Sequence, residues 1–262
     1  MCGRFFVEGE SENELLARMI DEASRRQRVL TGESAVATGE VFPSSIVAAM
    51  TVGRSGDIGI FPMQWGFHLP PSNKLIINTR SETAMEKPMF RKSMLERRCL
   101  IPCSWYYEWE TRDAQQSMLD DLHSLQVQGT GQSNKGKAKN QQKIKYAIRP
   151  KASGVIYLAG IYRFEENLKL PVLSILTREP AQDISFIHDR MPVIFSDRNH
   201  GAWLDRSADP QEVLKHCEIS MAYNIKQRDL YLLVRRFPPV TQVFTQKGKE
   251  KRLRFERTSG II

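Results

Sequence analysis

The spacing of β-prone segments constrains this chain more than any other feature. Runs rich in β-branched, aromatic and aliphatic residues occupy 46–50, 58–65, 104–109, 145–149, 155–164 and 170–177 of the 262 residues, with Gly, Pro or polar clusters between them. A shorter run covers 2–7, with Phe5 and Val7 on one face. Residues 53–56 make a turn, so 46–50 and 58–65 read as a hairpin. Helical periodicity is confined to fewer stretches. Ser11 and Glu14 form a capping box ahead of Leu15, Leu16, Met19, Ile20 and Ala23, which predicts an amphipathic helix over about 11–28. Residues 89–98 read as a helix dense in Arg and Lys, and 197–204 and 210–216 as further helices.

The pattern lapses once. From 111 to about 143 the chain turns polar, with a short amphipathic stretch at Met118, Leu119, Leu122 and Leu125 and a Gly/Gln/Asn/Lys-rich loop over 128–142. Strand patterns resume on both sides, so we read 111–143 as an insertion in one domain over 1–240, followed by a basic tail over 241–262. An apolar fraction of 41% suffices for a core without staples. Four cysteines, Cys2, Cys99, Cys103 and Cys217, read as reduced thiols of a cytosolic-type compartment. Cys99 and Cys103 lack a second Cys/His pair at finger spacing, so no metal is expected, nor any cofactor. No signal peptide and no membrane-spanning run is evident. A formal net charge of +8 favours a polyanionic partner, most simply nucleic acid.

Chemistry-bearing residues lie at strand ends. Asn78, Arg80 and Glu82 alternate after an apolar run and would share one face of an extended segment. Glu108 lies between Tyr107 and Trp109, surroundings that would raise a carboxyl pKa and suit a proton shuttle. His188 sits between an apolar pair and Asp189-Arg190, poised for hydrogen bonding. Cys2 follows the initiator methionine. If Met1 is trimmed, Cys2 becomes a 1,2-aminothiol, whose amine forms an imine with an aldehyde and whose sulfur then closes a five-membered thiazolidine.

Five ordered blocks carry a family resemblance: Met1-Cys2-Gly3-Arg4-Phe5; Gln64-Trp65-Gly66; Asn78-Thr79-Arg80-Ser81-Glu82-Thr83; Arg98-Cys99-Leu100-Ile101-Pro102 with Tyr107-Glu108-Trp109; and Ile187-His188-Asp189-Arg190-Met191-Pro192. Together they resemble the SOS response-associated peptidase (SRAP) family, proteins that shield abasic sites in single-stranded DNA. The resemblance implies a single α+β domain, a barrel-like mixed β-structure with flanking helices, with the N-terminal cysteine at the floor of a basic groove. It implies Cys2 as nucleophile, Asn78 as the positioner of sugar and amine, Glu108 as proton shuttle and His188 as the acid/base for ring opening. Arg4, Arg80 and Arg190 would hold phosphates, with Pro43, Trp65, Trp109 and Thr177 also on the DNA.

The implied partner is single-stranded DNA bearing abasic sites, met by a monomer, in the cytoplasm of a bacterium or the nucleus of a eukaryote. Two other readings stay open: an N-terminal-nucleophile cysteine peptidase that uses Cys2, His188 and Glu108, and a non-catalytic single-strand or modified-base reader. The family's sheet-closing C-terminal strand is hard to find in 220–240, so the sheet is expected to depart from the family there.

Overall fold

The computed structural model describes residues 2–9, 13–72, 74–113, 141–151 and 154–225. In chain order these form β1 (Arg4–Val7), α1 (Glu14–Thr31), β2 (Gly39–Val41), β3 (Ile46–Val52), β4 (Ile58–Trp65), β5 (Phe67–Leu69), β6 (Lys74–Ile76) and β7 (Asn78–Arg80). There follow a 3-10 turn (Ser81–Thr83), α2 (Pro88–Glu96), β8 (Arg98–Cys103), β9 (Trp105–Asp113), β10 (Gln141–Pro150), β11 (Ile156–Arg163) and β12 (Val172–Arg178). A second 3-10 turn (Gln182–Ile184) leads to β13 (Met191–Pro192), β14 (Ile194–Phe195), α3 (His200–Leu204), α4 (Pro210–Leu214) and β15 (Met221–Ile225).

The larger sheet runs β13-β12-β4-β3-β8-β11-β14, and a further β12–β11 pairing joins β12, β4, β3, β8 and β11 into a closed ring. Closure removes free edges among these strands, and both faces of the ring are buried: the registers put Leu158, Leu173 and Ile175 on one face and Leu100 and Ile161 on the other, all fully buried. The second sheet, β15-β10-β9-β1-β2, packs its buried face, including Phe5 and Tyr106, into the same core cluster. The architecture is therefore the expected α+β arrangement of large mixed sheets with few helices.

Several local expectations are corrected. The cap of α1 is Asn13, whose side chain accepts from Leu16 N at 3.2 Å, and the helix begins at Glu14; Ser11 lies outside the described residues. Glu82 does not continue the strand of Asn78 and Arg80, because the chain coils into a 3-10 turn at Ser81. Arg98 leaves the basic helix: it is buried on β8, and its guanidinium donates to the carbonyls of Asp205 and Ala208, so it anchors the segment after α3. The helices expected over 197–204 and 210–216 are shorter, at His200–Leu204 and Pro210–Leu214. A closing C-terminal strand does exist: β15 pairs with β10 from Tyr146↔Ile225 to Pro150↔Met221. The amphipathic stretch 118–125, the loop 128–142 up to 140, and the basic tail lie outside the described residues. Among the described residues, no helix is long and apolar enough to cross a membrane.

Candidate active site

The site is assembled where β1, β7, β9 and the loop before β13 converge. β1 adds to β9 in antiparallel register, Arg4↔Tyr107 and Phe5↔Tyr106, which carries the chain's beginning onto the Glu108 strand. β7 runs parallel to β12, Asn78↔Ile175 to Arg80↔Thr177. Trp65 helps hold the approach to β7. It is fully buried, its indole N–H donates to Ile77 O at 3.0 Å, and its ring lies 5.1 Å from Phe5. Gly66 allows that corner: its φ is +126°, and a Cβ there would stand 3.0 Å from Leu75 Cβ. Ser44, beside half-buried Pro43, adopts φ 71° and donates its N–H to Trp65 O at 2.8 Å, pinning the 42–45 loop to the same corner.

Asn78 reaches across 76 residues of sequence to Cys2, its Nδ2 donating to Cys2 O at 2.9 Å. Among the described residues its Oδ1, though buried, has no hydrogen-bond partner. Cys2 is fully buried, and among the described residues its Sγ makes only a long contact to Arg4 O at 3.8 Å. Burial and then the charge of Glu108 push the Cys2 thiol well above the ordinary thiol range. Glu108 is buried too. Desolvation raises its carboxyl pKa, against the pull of nearby positive charge that includes His188. The direction matches the sequence reading, but the cause differs. Side chains alternate along β9, so Tyr107 and Trp109 face away from Glu108, and the low dielectric comes from the sheet interior.

His188 Nδ1 lies 2.5 Å from Asp189 Oδ1 and 3.1 Å from Arg190 N. One nitrogen cannot serve both. Protonated, it donates to Asp189; with the proton on Nε2, it accepts from the Arg190 amide. The imidazole therefore has a built partner in each charge state. Arg190 forms a two-pronged pair with Glu82 at 2.9 and 2.8 Å and donates to Thr177 O at 2.6 Å. Thr177 is buried, and its hydroxyl reaches Thr79 O at 3.5 Å. Arg80 is exposed and makes no ion pair among the described residues.

Arg4 and Trp109 sit on the other face of β1 and β9. The Arg4 guanidinium is 4.6 Å from the Phe42 ring and 5.1 Å from Trp109, and it pairs with Glu40 at 3.0 Å. Lys145 joins them, 2.6 Å from Glu40 and 3.9 Å from the Tyr107 ring. Partial burial opposes it, but Lys145 and Arg4 hold the Glu40 carboxyl below its usual range. The structure thus brings Cys2, Asn78 and Glu108 together, with His188 close enough to act on Glu108. It ties Thr177 and Arg190 beside β7, and places Arg4 and Trp109 on an adjoining aromatic-cationic face. Sequence reading missed Glu40, Lys145 and Tyr106. No local signal links Glu40 to partners 36 and 105 residues away.

Comparison with known proteins shows the family and the fold. A family model described as SOS response associated peptidase (SRAP) matches residues 1–127 and 132–231. The chain belongs to that family. It is 29% identical over 220 residues to the Abasic site processing protein YoqW of Bacillus subtilis (strain 168), covering 80% of this chain and 83% of the relative. It is 31% identical over 179 residues to the Abasic site processing protein HMCES of Rattus norvegicus, covering 62% of this chain and 49% of that protein. A crystal structure of a protein from Bacteroides thetaiotaomicron shares the fold, with a TM-score of 0.60 at 18% identity over 88% of this chain and 94% of that one.

Proposed function

We propose that this protein processes abasic sites in single-stranded DNA by trapping their aldehyde as a thiazolidine on an N-terminal Cys2. The observation that carries the reading is the anchoring of the Cys2 carbonyl by Asn78 at 2.9 Å, beside the buried Glu108. The first residue of a mature chain is ordinarily loose; here the Cys2 carbonyl is held by Asn78 and the side chain is fully buried. The names of the relatives, abasic site processing proteins, point the same way.

The chemistry follows from the groups present. An abasic sugar is mostly a closed hemiacetal. His188 exchanges a proton with the ring oxygen as the sugar opens, its two partners accommodating either charge state. The Cys2 amine adds to the aldehyde, and loss of water from the carbinolamine needs a proton delivered and one removed. Glu108, with a raised pKa, suits that shuttle at neutral pH. The thiol then adds across the imine, and the closed ring blocks β-elimination of the strand. Cationic Arg80 and the Arg4–Phe42–Trp109 face suit a phosphate backbone with exposed bases. The peptidase reading fares worse on the same geometry. A hydrolytic cysteine needs a depressed pKa, whereas burial and Glu108 push Cys2 upward.

The test is incubation of the mature chain, its N-terminus checked by intact mass, with a single strand bearing one abasic site. A covalent species should survive denaturing electrophoresis and be absent for Cys2→Ala. Binding without any adduct would leave a non-catalytic reader, and peptide turnover lost in Cys2→Ser would restore the hydrolase.

A further inference from the structure

One buried polar group near Cys2 has no part in the steps above. Tyr106 is fully buried on β9, two residues before Glu108 and therefore on the same face, opposite Phe5 of β1. Its hydroxyl has no hydrogen-bond partner among the described residues. Two other buried tyrosines are satisfied: Tyr146 donates to Glu110 at 2.8 Å and Tyr157 to Asp197 at 2.9 Å. A phenylalanine would fill the Tyr106 site without stranding a hydroxyl, so the oxygen costs stability in the free protein. Burial, then the charges of Cys2 and Glu108, push the Tyr106 phenol upward, which places it within electrostatic reach of both and keeps its proton in place.

Among the described residues, none donates a hydrogen bond to the reacting sulfur. Its contact in the free protein, Arg4 O at 3.8 Å, is an acceptor and favours the thiol, not a thiolate. Asn78 Nδ2 is engaged by the Cys2 carbonyl, and an ionised Glu108 only accepts. We infer that Tyr106 donates its hydroxyl hydrogen bond to the Cys2 sulfur as the thiazolidine ring closes. In that step the S–C bond forms and the C=N π pair moves to nitrogen. The thiol proton leaves through Glu108, the nitrogen gains one, and Tyr106 keeps its own. A fixed, buried donor acts while the sulfur carries negative charge, between loss of its proton and closure of the S–C bond. The same burial that makes the thiolate costly explains why a donor is needed.

The inference rests on the proposed crosslinking and is tested with Tyr106→Phe in the full mature chain, on a single strand with one abasic site. Borohydride quenching separates the steps, since it traps the imine and leaves the closed ring unreduced. The variant should bind the strand with wild-type affinity and form imine at the wild-type rate. It should convert imine to the borohydride-resistant adduct about tenfold more slowly, with a melting temperature equal to or above wild type. Conversion at the wild-type rate would overturn the inference. So would a loss of strand affinity, imine formation and thermal stability together, which marks a structural role. If the wild type forms no adduct, it is the crosslinking reading that fails.

Discussion

The amide of Asn78 offers the sharpest test of how the site is held. Its Nδ2 is committed to Cys2 O at 2.9 Å, while its Oδ1 is buried with no partner among the described residues. Asn78→Ala removes both. Losing the tether costs about 1 kcal/mol, the net worth of a neutral hydrogen bond. Removing a stranded acceptor returns about 1–3 kcal/mol. The two nearly offset, so global stability should change little. The reaction has no such compensation. About 1 kcal/mol lowers the fraction of correctly placed N-termini roughly fivefold, and a displaced nucleophile can raise the loss toward about a hundredfold. Asn78→Asp goes further, because a carboxylate can only accept and would face the Cys2 carbonyl. The assay is single-turnover crosslinking to an abasic strand, with thermal unfolding alongside. Crosslinking at the wild-type rate in Asn78→Ala, or a fall in melting temperature that tracks the lost rate, would refute the tether.

Two further outcomes can be measured with the same material. Glu108→Gln should slow adduct formation while leaving strand affinity nearly unchanged. Because burial raises the Glu108 pKa, protonation favours the fold, and stability from this group is lost as pH rises through the folded-state value. The glutamine variant should lack that loss, so its unfolding free energy should vary less with pH across the interval between the free carboxyl value and the raised folded-state value. Arg80→Ala should weaken single-strand binding and reduce the slope of log K against log salt by about 0.7; an unchanged slope would remove Arg80 from the phosphate contacts.

What the chain reveals before folding depends on distance along it. Periodicity is local, so the β3–β4 hairpin and the strands at β1, β9, β10, β11 and β12 are legible from composition and turns. Cys2, Asn78, Glu108 and His188 are legible as an ordered set of short blocks, although nothing local says that an amide at 78 reaches the carbonyl at 2. The Glu82 expectation failed because alternation presumes an extended backbone, and Ser81–Thr83 coils. Arg98 read as surface charge because its acceptors are the carbonyls of residues 205 and 208. The strand Met221–Ile225 escaped notice because Met-Ala-Tyr-Asn-Ile alternates weakly, and pairing with β10 supplies what its own composition does not. Tyr106 is invisible in sequence for a similar reason, since an aromatic in a buried strand reads as packing until its hydroxyl is found without a partner.

The long ladder between β9 and β10 sets the limits of later change in this protein. Its pairing runs from Tyr106↔Ile148 out to Asp113↔Gln141, so the ends of the intervening 114–140 segment are held side by side. A connection between two neighbouring points costs little more when lengthened, about 0.6 kcal/mol per doubling. Glu108 lies five rungs inward of that exit, roughly 17 Å away along the strand. The ladder is thus a docking port for new sequence, where segments can be grown, trimmed or exchanged while the reacting groups stay in register. An affinity tag or a spectroscopic reporter could be spliced there with the same impunity.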